Sequence, residues 1–335
     1  MKDRPVYYDN INLRRLRRLI AKTPFFHTPQ ISTEQLVYDE EWYNLQGEAF
    51  QDYLCAKVLS GEPFMLTRFG CGVLKSAIDY QLRVSPSTIF SYLFGHTDSI
   101  DLQRQTVYNM CVGDGFYPED YKAIMAYGKM INEIVPNIDI LATIMYQERF
   151  FSDQLGDKIR CQFYDLEPYR WKNPWTRALK GKKVLVIHPF VNTIKYQYEH
   201  NREKIFENPD CLPEYDLKLL RAVQDKKISN DPYDQYDTWF DAYRFLCGEV
   251  DKIDFDVALL GCGAFGMPLA NYIKNKGKQA IHIGSAVQYM FGIKNKRADT
   301  DLDPAIRNLY NDYWIRTMPE DTPQGFKKIE GGCYW

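Results

Sequence analysis

Residues 255–284 run Phe255-Asp256-Val257-Ala258-Leu259-Leu260, Gly261-Cys262-Gly263-Ala264-Phe265-Gly266, Met267-Pro268-Leu269-Ala270-Asn271-Tyr272-Ile273-Lys274-Asn275-Lys276-Gly277 and Lys278-Gln279-Ala280-Ile281-His282-Ile283-Gly284. The continuously apolar run up to Leu260 reads as a strand covered on both faces. Glycines at 261, 263 and 266 form a GxGxxG turn, Met267–Lys276 reads as a helix capped by Gly277, and Gln279–Ile283 as the next strand. Strand, glycine turn, helix and strand, over about residues 254–284, is the order of a phosphate-binding βαβ unit. Glycines there let the backbone approach phosphates, and the helix N-terminus offers free N–H groups and a positive dipole end. The competing reading is a tight strand–helix turn whose glycines serve packing alone.

An NAD site places an acid about 20 residues beyond the first glycine, on the ribose hydroxyls. Here the segment reads Ile281-His282-Ile283-Gly284-Ser285-Ala286, without an acid. This counts against a dehydrogenase and against a methyltransferase using S-adenosylmethionine. Gly284 and Ser285 read instead as a second phosphate or ribose contact. His282 is either a ligand contact or a satisfied core histidine.

Working outward, further short apolar runs alternate with helical patterns: Pro63–Gly70, Ile138–Tyr146, Ile159–Tyr164 and Lys183–Ile187. Helices are expected from Glu48 to Leu59, from Val73 to Leu82 and from Pro118 to Ile134, while residues 87–94 read equally as helix or strand. The alternation predicts an α/β, Rossmann-like domain with a mostly parallel sheet and helices on both faces. Residues 31–335 are expected to form that single domain, with residues 1–30 as an N-terminal extension. The polar stretch from Gln224 to Trp239 is either a mobile lid or a surface insertion.

Polar residues at the carboxyl ends of parallel strands point into the ligand crevice. That singles out His188, after Val184-Leu185-Val186-Ile187, for phosphate binding or proton transfer. It also singles out Arg68 with Gly70, as a substrate anchor or an ion-pair member. Gln197, Tyr198 and Arg202 fall at helical spacing, with Arg202 available to a phosphate or to a surface salt bridge. The aromatic tail, residues 310–316 and 330–335, is expected to pack on the domain or close one wall of the site.

Composition bounds the rest. A formal net charge of −2 and a pI near 6.3 argue against a nucleic-acid partner. The 8 cysteines contain no CxxC pair, which makes a structural zinc site an unfavoured reading. With 25 Tyr, 19 Phe and 6 Trp the chain has ample aromatic surface for a sugar or base. No apolar stretch of about 18 residues and no signal-peptide pattern is read, so a cytoplasmic location is expected. Ile11–Ile20 alternates arginines with Leu13, Leu16 and Ile20 on one helical face. Such a helix suits an anionic membrane surface at about 1 kcal/mol per basic residue, its own domain, or a second copy in a homo-oligomer.

The chain resembles the GT-D-type glycosyltransferases of bacterial surface-polysaccharide loci. The likeness is carried by Arg68-Phe69-Gly70, Leu166-Glu167-Pro168-Tyr169, Asn173-Pro174-Trp175, Lys183–Phe190, Leu212-Pro213-Glu214, Asp254–Gly266, Gly277–Gly284, Phe291-Gly292-Ile293-Lys294 and Glu330–Trp335. It implies a GT-D-like fold and transfer of a sugar from a nucleotide-sugar donor to a glycan or lipid-linked acceptor; the basic helix at residues 11–20 is expected to bring such an enzyme to the inner face of the plasma membrane. It also implies a divalent cation, Mg²⁺ or Mn²⁺, held by an acidic motif at Cys71, Gly72 and Val73. No carboxylate stands there, and Val73 replaces the expected acid. Metal-independent catalysis, an acid supplied from elsewhere and a non-catalytic nucleotide-sugar-binding or scaffold relative all remain open. Candidate bases are Glu214, Asp114 and Glu167; candidate donor contacts are Arg68, Gly70, His188, Gly261, Gly263, Gly266, His282, Gly284, Ser285 and Lys294.

Overall fold

The structure, a computed structural model, describes residues 11–27, 41–84, 90, 92–95, 104–300 and 304–335. Seven strands form one all-parallel sheet: β1 (Phe64–Thr67), β2 (Ile140–Thr143), β3 (Ile159–Gln162), β4 (Lys183–His188), β5 (Asp216–Arg221), β6 (Val257–Leu260) and β7 (Gln279–His282). Their order across the sheet is β3-β2-β1-β7-β6-β4-β5. The α/β, Rossmann-like architecture expected from the alternation is therefore present.

Eight helices of nine or more residues are described: α1 (Ile11–Ile20), α2 (Gly47–Leu59), α3 (Cys71–Val84), α4 (Arg104–Val112), α5 (Tyr121–Ile134), α6 (Val191–Ile205), α7 (Trp239–Val250) and α8 (Gly266–Asn275). Side chains alternate across the pleat and divide the core in two. Met65, Leu141, Leu185, Ala258 and Ala280 meet α3, α5, α7 and α8 on one face. Phe64, Ile140, Val184, Val257 and Ile281 meet α2, α6 and residues 163–179 on the other. Central strands buried on both sides are apolar at most positions, hence their nearly continuous runs in the sequence, with Thr67, Gln279 and His282 as buried polar exceptions.

β5 was absent from the sequence expectation. Asp216-Leu217-Lys218-Leu219-Leu220-Arg221 is an edge strand, pairing only with β4, and its partly exposed charged positions hide it among loops. Charge on an edge strand is a common guard against edge-to-edge association. Residues 87–94 lie largely outside the described residues; Phe90, Tyr92 and Leu93 are helical.

The direction in which successive strands are added across the sheet reverses at the centre. The crossover from β4 to β5 uses α6 on one face, whereas that from β6 to β7 uses α8 on the other. Between β4 and β6 the two connections diverge, leaving a crevice at the carboxyl edge, where open α/β sheets bind ligands. An aromatic block braces it. The Trp239 ring lies 4.8 Å from Phe265, 5.5 Å from Phe116, 5.0 Å from Tyr127 and 5.3 Å from Tyr243. Trp239→Ala is expected to cost about 3–5 kcal/mol in denaturant unfolding, with Trp239→Phe retaining most of that stability. Equal stability of the alanine variant would show that the block is not a supporting element.

Candidate functional site

The crevice at the carboxyl edge has a volume of about 300 Å³. Arg68 after β1, His188 at the end of β4, Gly261 and Gly263 after β6, and Gly284 and Ser285 after β7 all line it. Asp114, from the loop between α4 and α5, completes the inner wall. Seven of the residues singled out from sequence are thus brought together. Tyr334 and Trp335 form part of the rim, which places the aromatic tail against the crevice.

Arg68 carries a charge that no carboxylate neutralises by direct contact among the described residues. Its Nη1 donates to the Phe69 carbonyl at 3.0 Å, and its guanidinium lies 5.8 Å from the Phe163 ring. Its Nε is buried without an acceptor. A buried donor left unmade costs free energy unless a ligand or water supplies the acceptor. Gly284 makes room for this arrangement: a Cβ there would stand 2.5 Å from Arg68 Nη2.

His188 is a neutral donor rather than a cation. The Phe190 N–H donates to its Nδ1 at 3.0 Å, which fixes the proton on Nε2. Burial pushes its pKa down to about 3. Nε2 has no protein acceptor among the described residues. Of the roles expected for His188, a neutral N–H contact to a phosphate is the one this geometry suits, since an imidazolium there has no counter-charge among the described residues to offset its desolvation.

Asp114 occupies the turn between β1 and α3. Its Oδ2 accepts from the Gly72 N–H at 3.0 Å, and its carbonyl accepts from the Ala264 N–H at 2.7 Å. A Cβ on Gly70 would stand 2.6 Å from Asp114 Oδ1, and one on Gly72 would stand 2.4 Å from Oδ2. Glycine at 70 and 72 is therefore what admits the carboxylate. Burial raises the Asp114 pKa to about 6, against the lowering effect of Arg68 and of the Gly72 and Val73 N–H groups.

The glycines of the 261–266 turn each accommodate a protein neighbour. A Cβ on Gly261 would meet His188 Cδ2 at 2.6 Å, on Gly263 the Asp114 carbonyl at 2.5 Å, and on Gly266 His282 Nε2 at 2.1 Å. Gly263 also has φ +56°, which other residues seldom adopt. Most N–H groups of the turn are engaged with backbone carbonyls, but those of Cys262 and Gly263 have no acceptor among the described residues. The turn is thus a packing device with two N–H groups left over on residues that line the crevice, less than the cradle its pattern suggested.

Several other candidates do not reach the crevice. His282 is a core residue whose Nδ1 lies 2.9 Å from Thr67 Oγ1; burial, and secondarily Arg68, lowers its pKa to about 3. Gly266 packs on that imidazole. Glu214 is exposed just before β5, at the opposite edge of the sheet, where its carbonyl accepts from the Gly181 N–H at 2.8 Å. Glu167 is buried in an ion pair with Arg170. Lys294 lies over the Tyr310 ring at 5.2 Å. Arg202 pairs with Glu203 at 2.8 Å, and Gln197 donates to the carbonyls of Phe291, Gly292 and Tyr313. None of these belongs to the pocket lining, and each has a structural partner that accounts for it.

Sequence reasoning missed Lys227, Lys328 and Gln288, which also line the crevice. Lys328 Nζ donates to the Lys227 carbonyl at 2.9 Å. Lys227 comes from a polar loop, Lys328 from the C-terminal segment and Gln288 from the short helix Ala286–Met290 after β7, and no motif marks them. The loop from Gln224 is pinned by buried Asp234, which accepts from the Gln224 N–H at 2.9 Å and from Ser229 Oγ at 2.6 Å.

The residues present do not fit a protein-held divalent cation. Among the described residues no group of three or more His, Cys, Asp and Glu side chains converges, and Asp114 is the one carboxylate at the 71–73 turn. No helix of the described residues is long and apolar enough to cross a membrane. Comparisons with protein-family models, with curated proteins and with solved structures find no match.

The raised Asp114 pKa has a definite sign. The folded protein holds this proton more tightly than the unfolded chain, so the contribution favours folding below the unfolded value and is lost as pH rises through about 6. Asp114→Asn should remove that decline between about pH 4 and 7, read as melting temperature against pH. Parallel profiles for the two proteins would contradict the buried-carboxyl assignment.

Proposed function

We propose that this chain is a glycosyltransferase, moving a sugar from a nucleotide-sugar donor to a glycan or lipid-linked acceptor in surface-polysaccharide assembly. The observation that carries the reading is Arg68: a cation without an ion-pair partner among the described residues, its Nε buried and unsatisfied, at the carboxyl edge of the sheet. A leaving diphosphate supplies the missing acceptors and counter-charge. The neutral Nε2–H of His188, the Ser285 hydroxyl and the Cys262 and Gly263 N–H groups add donors without added charge.

Transfer breaks the bond from the anomeric carbon to the diphosphate oxygen and forms one to the acceptor oxygen. The diphosphate leaves with the electron pair of the broken bond, beside Arg68. The acceptor hydroxyl must lose its proton, and Asp114 is the candidate base within the crevice, with a pKa of about 6 suited to proton transfer near neutrality. Donor and acceptor then meet in one crevice at the carboxyl edge of the sheet. No step is assigned to a metal ion.

A second reading is favoured by one observation: the Asp114 carboxylate is already engaged by the Gly72 N–H. A carboxylate committed to the turn would leave a protein that binds the donor without turning it over, as a scaffold.

The test is a thermal-shift and calorimetric screen of nucleotide-sugars, each with and without Mn²⁺. At least one donor should stabilise the protein, and Arg68→Gln should weaken it by about 1.5–3 kcal/mol, or roughly 10- to 150-fold in affinity. Asp114→Asn should keep donor affinity while lowering transfer about 10²- to 10⁴-fold. Donor binding without transfer by the wild type would select the scaffold reading. No stabilisation by any nucleotide or nucleotide-sugar would overturn both.

A further inference from the structure

We infer that α1 and the segment after it form a docking face for an anionic lipid bilayer, independent of the crevice and of the activity proposed for it. Ile11–His27 holds four arginines and Lys22 and no acidic residue. The structure splits the helix in a way the sequence did not show. Arg17 and Ile20, three residues apart, turn inward: the Arg17 guanidinium lies 4.4 Å from the Tyr92 ring and 5.4 Å from the Phe26 ring, and Ile20 packs on the core. Leu16 and Leu19, also three apart, turn outward and are 42% and 64% exposed. Of the face of Leu13, Leu16 and Ile20 expected from sequence, Leu16 is exposed and Ile20 packs on the core; the side chain of Leu13 lies outside the described residues.

The outward apolar set continues beyond the helix. Phe25 is 69% exposed and Phe90 is 63% exposed. The two segments are joined: the His27 N–H donates to the Phe94 carbonyl at 2.8 Å, and Phe90 stacks on Phe94 at 6.0 Å. Four exposed large apolar side chains thus sit on one small substructure, flanked by exposed Arg15, Arg18 and Lys22. Leucines and phenylalanines beside arginines match the interface of a bilayer whose headgroups are negative. A second copy of the same face would set like charges against each other. Charge complementarity therefore selects the anionic surface.

The test is co-sedimentation of the full chain with vesicles of phosphatidylcholine, alone or with about a third phosphatidylglycerol. Binding is expected only with the anionic lipid and is expected to be lost in roughly 0.5 M NaCl. The pair Arg15→Glu and Arg18→Glu, and separately the pair Leu19→Ser and Phe25→Ser, should each weaken partitioning at least about tenfold with unchanged melting temperature. Both pairs change exposed side chains, and the serine pair leaves every charge in place. Nucleotide-sugar binding should be the same in all of them, so a failure of this face is separable from a failure of the crevice. Absence of partitioning, partitioning that ignores both pairs, or a solution dimer dissociated by Leu19→Ser would overturn the inference.

Discussion

Asp114 ties together two glycine turns that come from distant parts of the chain. Its carboxylate reaches under the turn after β1, accepting from Gly72 at 3.0 Å, while its carbonyl accepts from Ala264 in the turn after β6 at 2.7 Å. Gly70, Gly72 and Gly263 are all required by this one residue, because a Cβ at any of them would collide with it. The placement of Arg68, two residues before Gly70, and of the Cys262 and Gly263 N–H groups follows from the same contact. The floor of the crevice is thus set by one short segment between α4 and α5.

Burial decides the charge state around that floor. His188 and His282 are both held neutral, since neither has a partner able to offset the desolvation of an imidazolium. The guanidinium of Arg68 is the cationic group of the inner wall. Lys227 and Lys328 add positive charge to the lining, but Glu119 and Asp225 line it as well. The crevice is consequently not a broadly basic funnel. It offers the Arg68 cation on the inner wall, while the two lysines are matched by Glu119 and Asp225, which suits recognition of an anion at a defined point better than long-range attraction.

The fold was legible wherever burial imposed a simple pattern. Strands covered on both faces show as apolar runs, and Asp120, whose side chain accepts from the Ala123 N–H at 2.8 Å, marks the start of α5 as an N-cap should. β5 was illegible because an edge strand may carry Lys218 and Arg221 without penalty. In the site, residues at strand ends were found because topology fixes where strand ends lie: Arg68, His188 and Ser285 all reach the crevice. Glu214 and Glu167 fail because a carboxylate in a sequence carries no sign of its depth or partner. The glycine pattern had a different weakness. A glycine needed for close approach looks the same whether phosphate or protein does the approaching, and at 261, 263 and 266 it is protein.

Val73 brings these strands of reasoning to one point. It is buried in the core face of α3, so an acid at that position would have needed a different packing of the helix. The turn nevertheless holds a carboxylate, delivered by residue 114 from another segment. Its environment pulls in two directions: burial raises the pKa, while Arg68 and the N–H groups of Gly72 and Val73 lower it, and burial prevails to about 6. A carboxylate with stronger hydrogen-bond support would be too weak a base to take a proton from an acceptor hydroxyl, and one with less would stay protonated at neutral pH. On the proposed glycosyltransferase reading, capping a helix and serving as a base are thus compatible demands on Asp114.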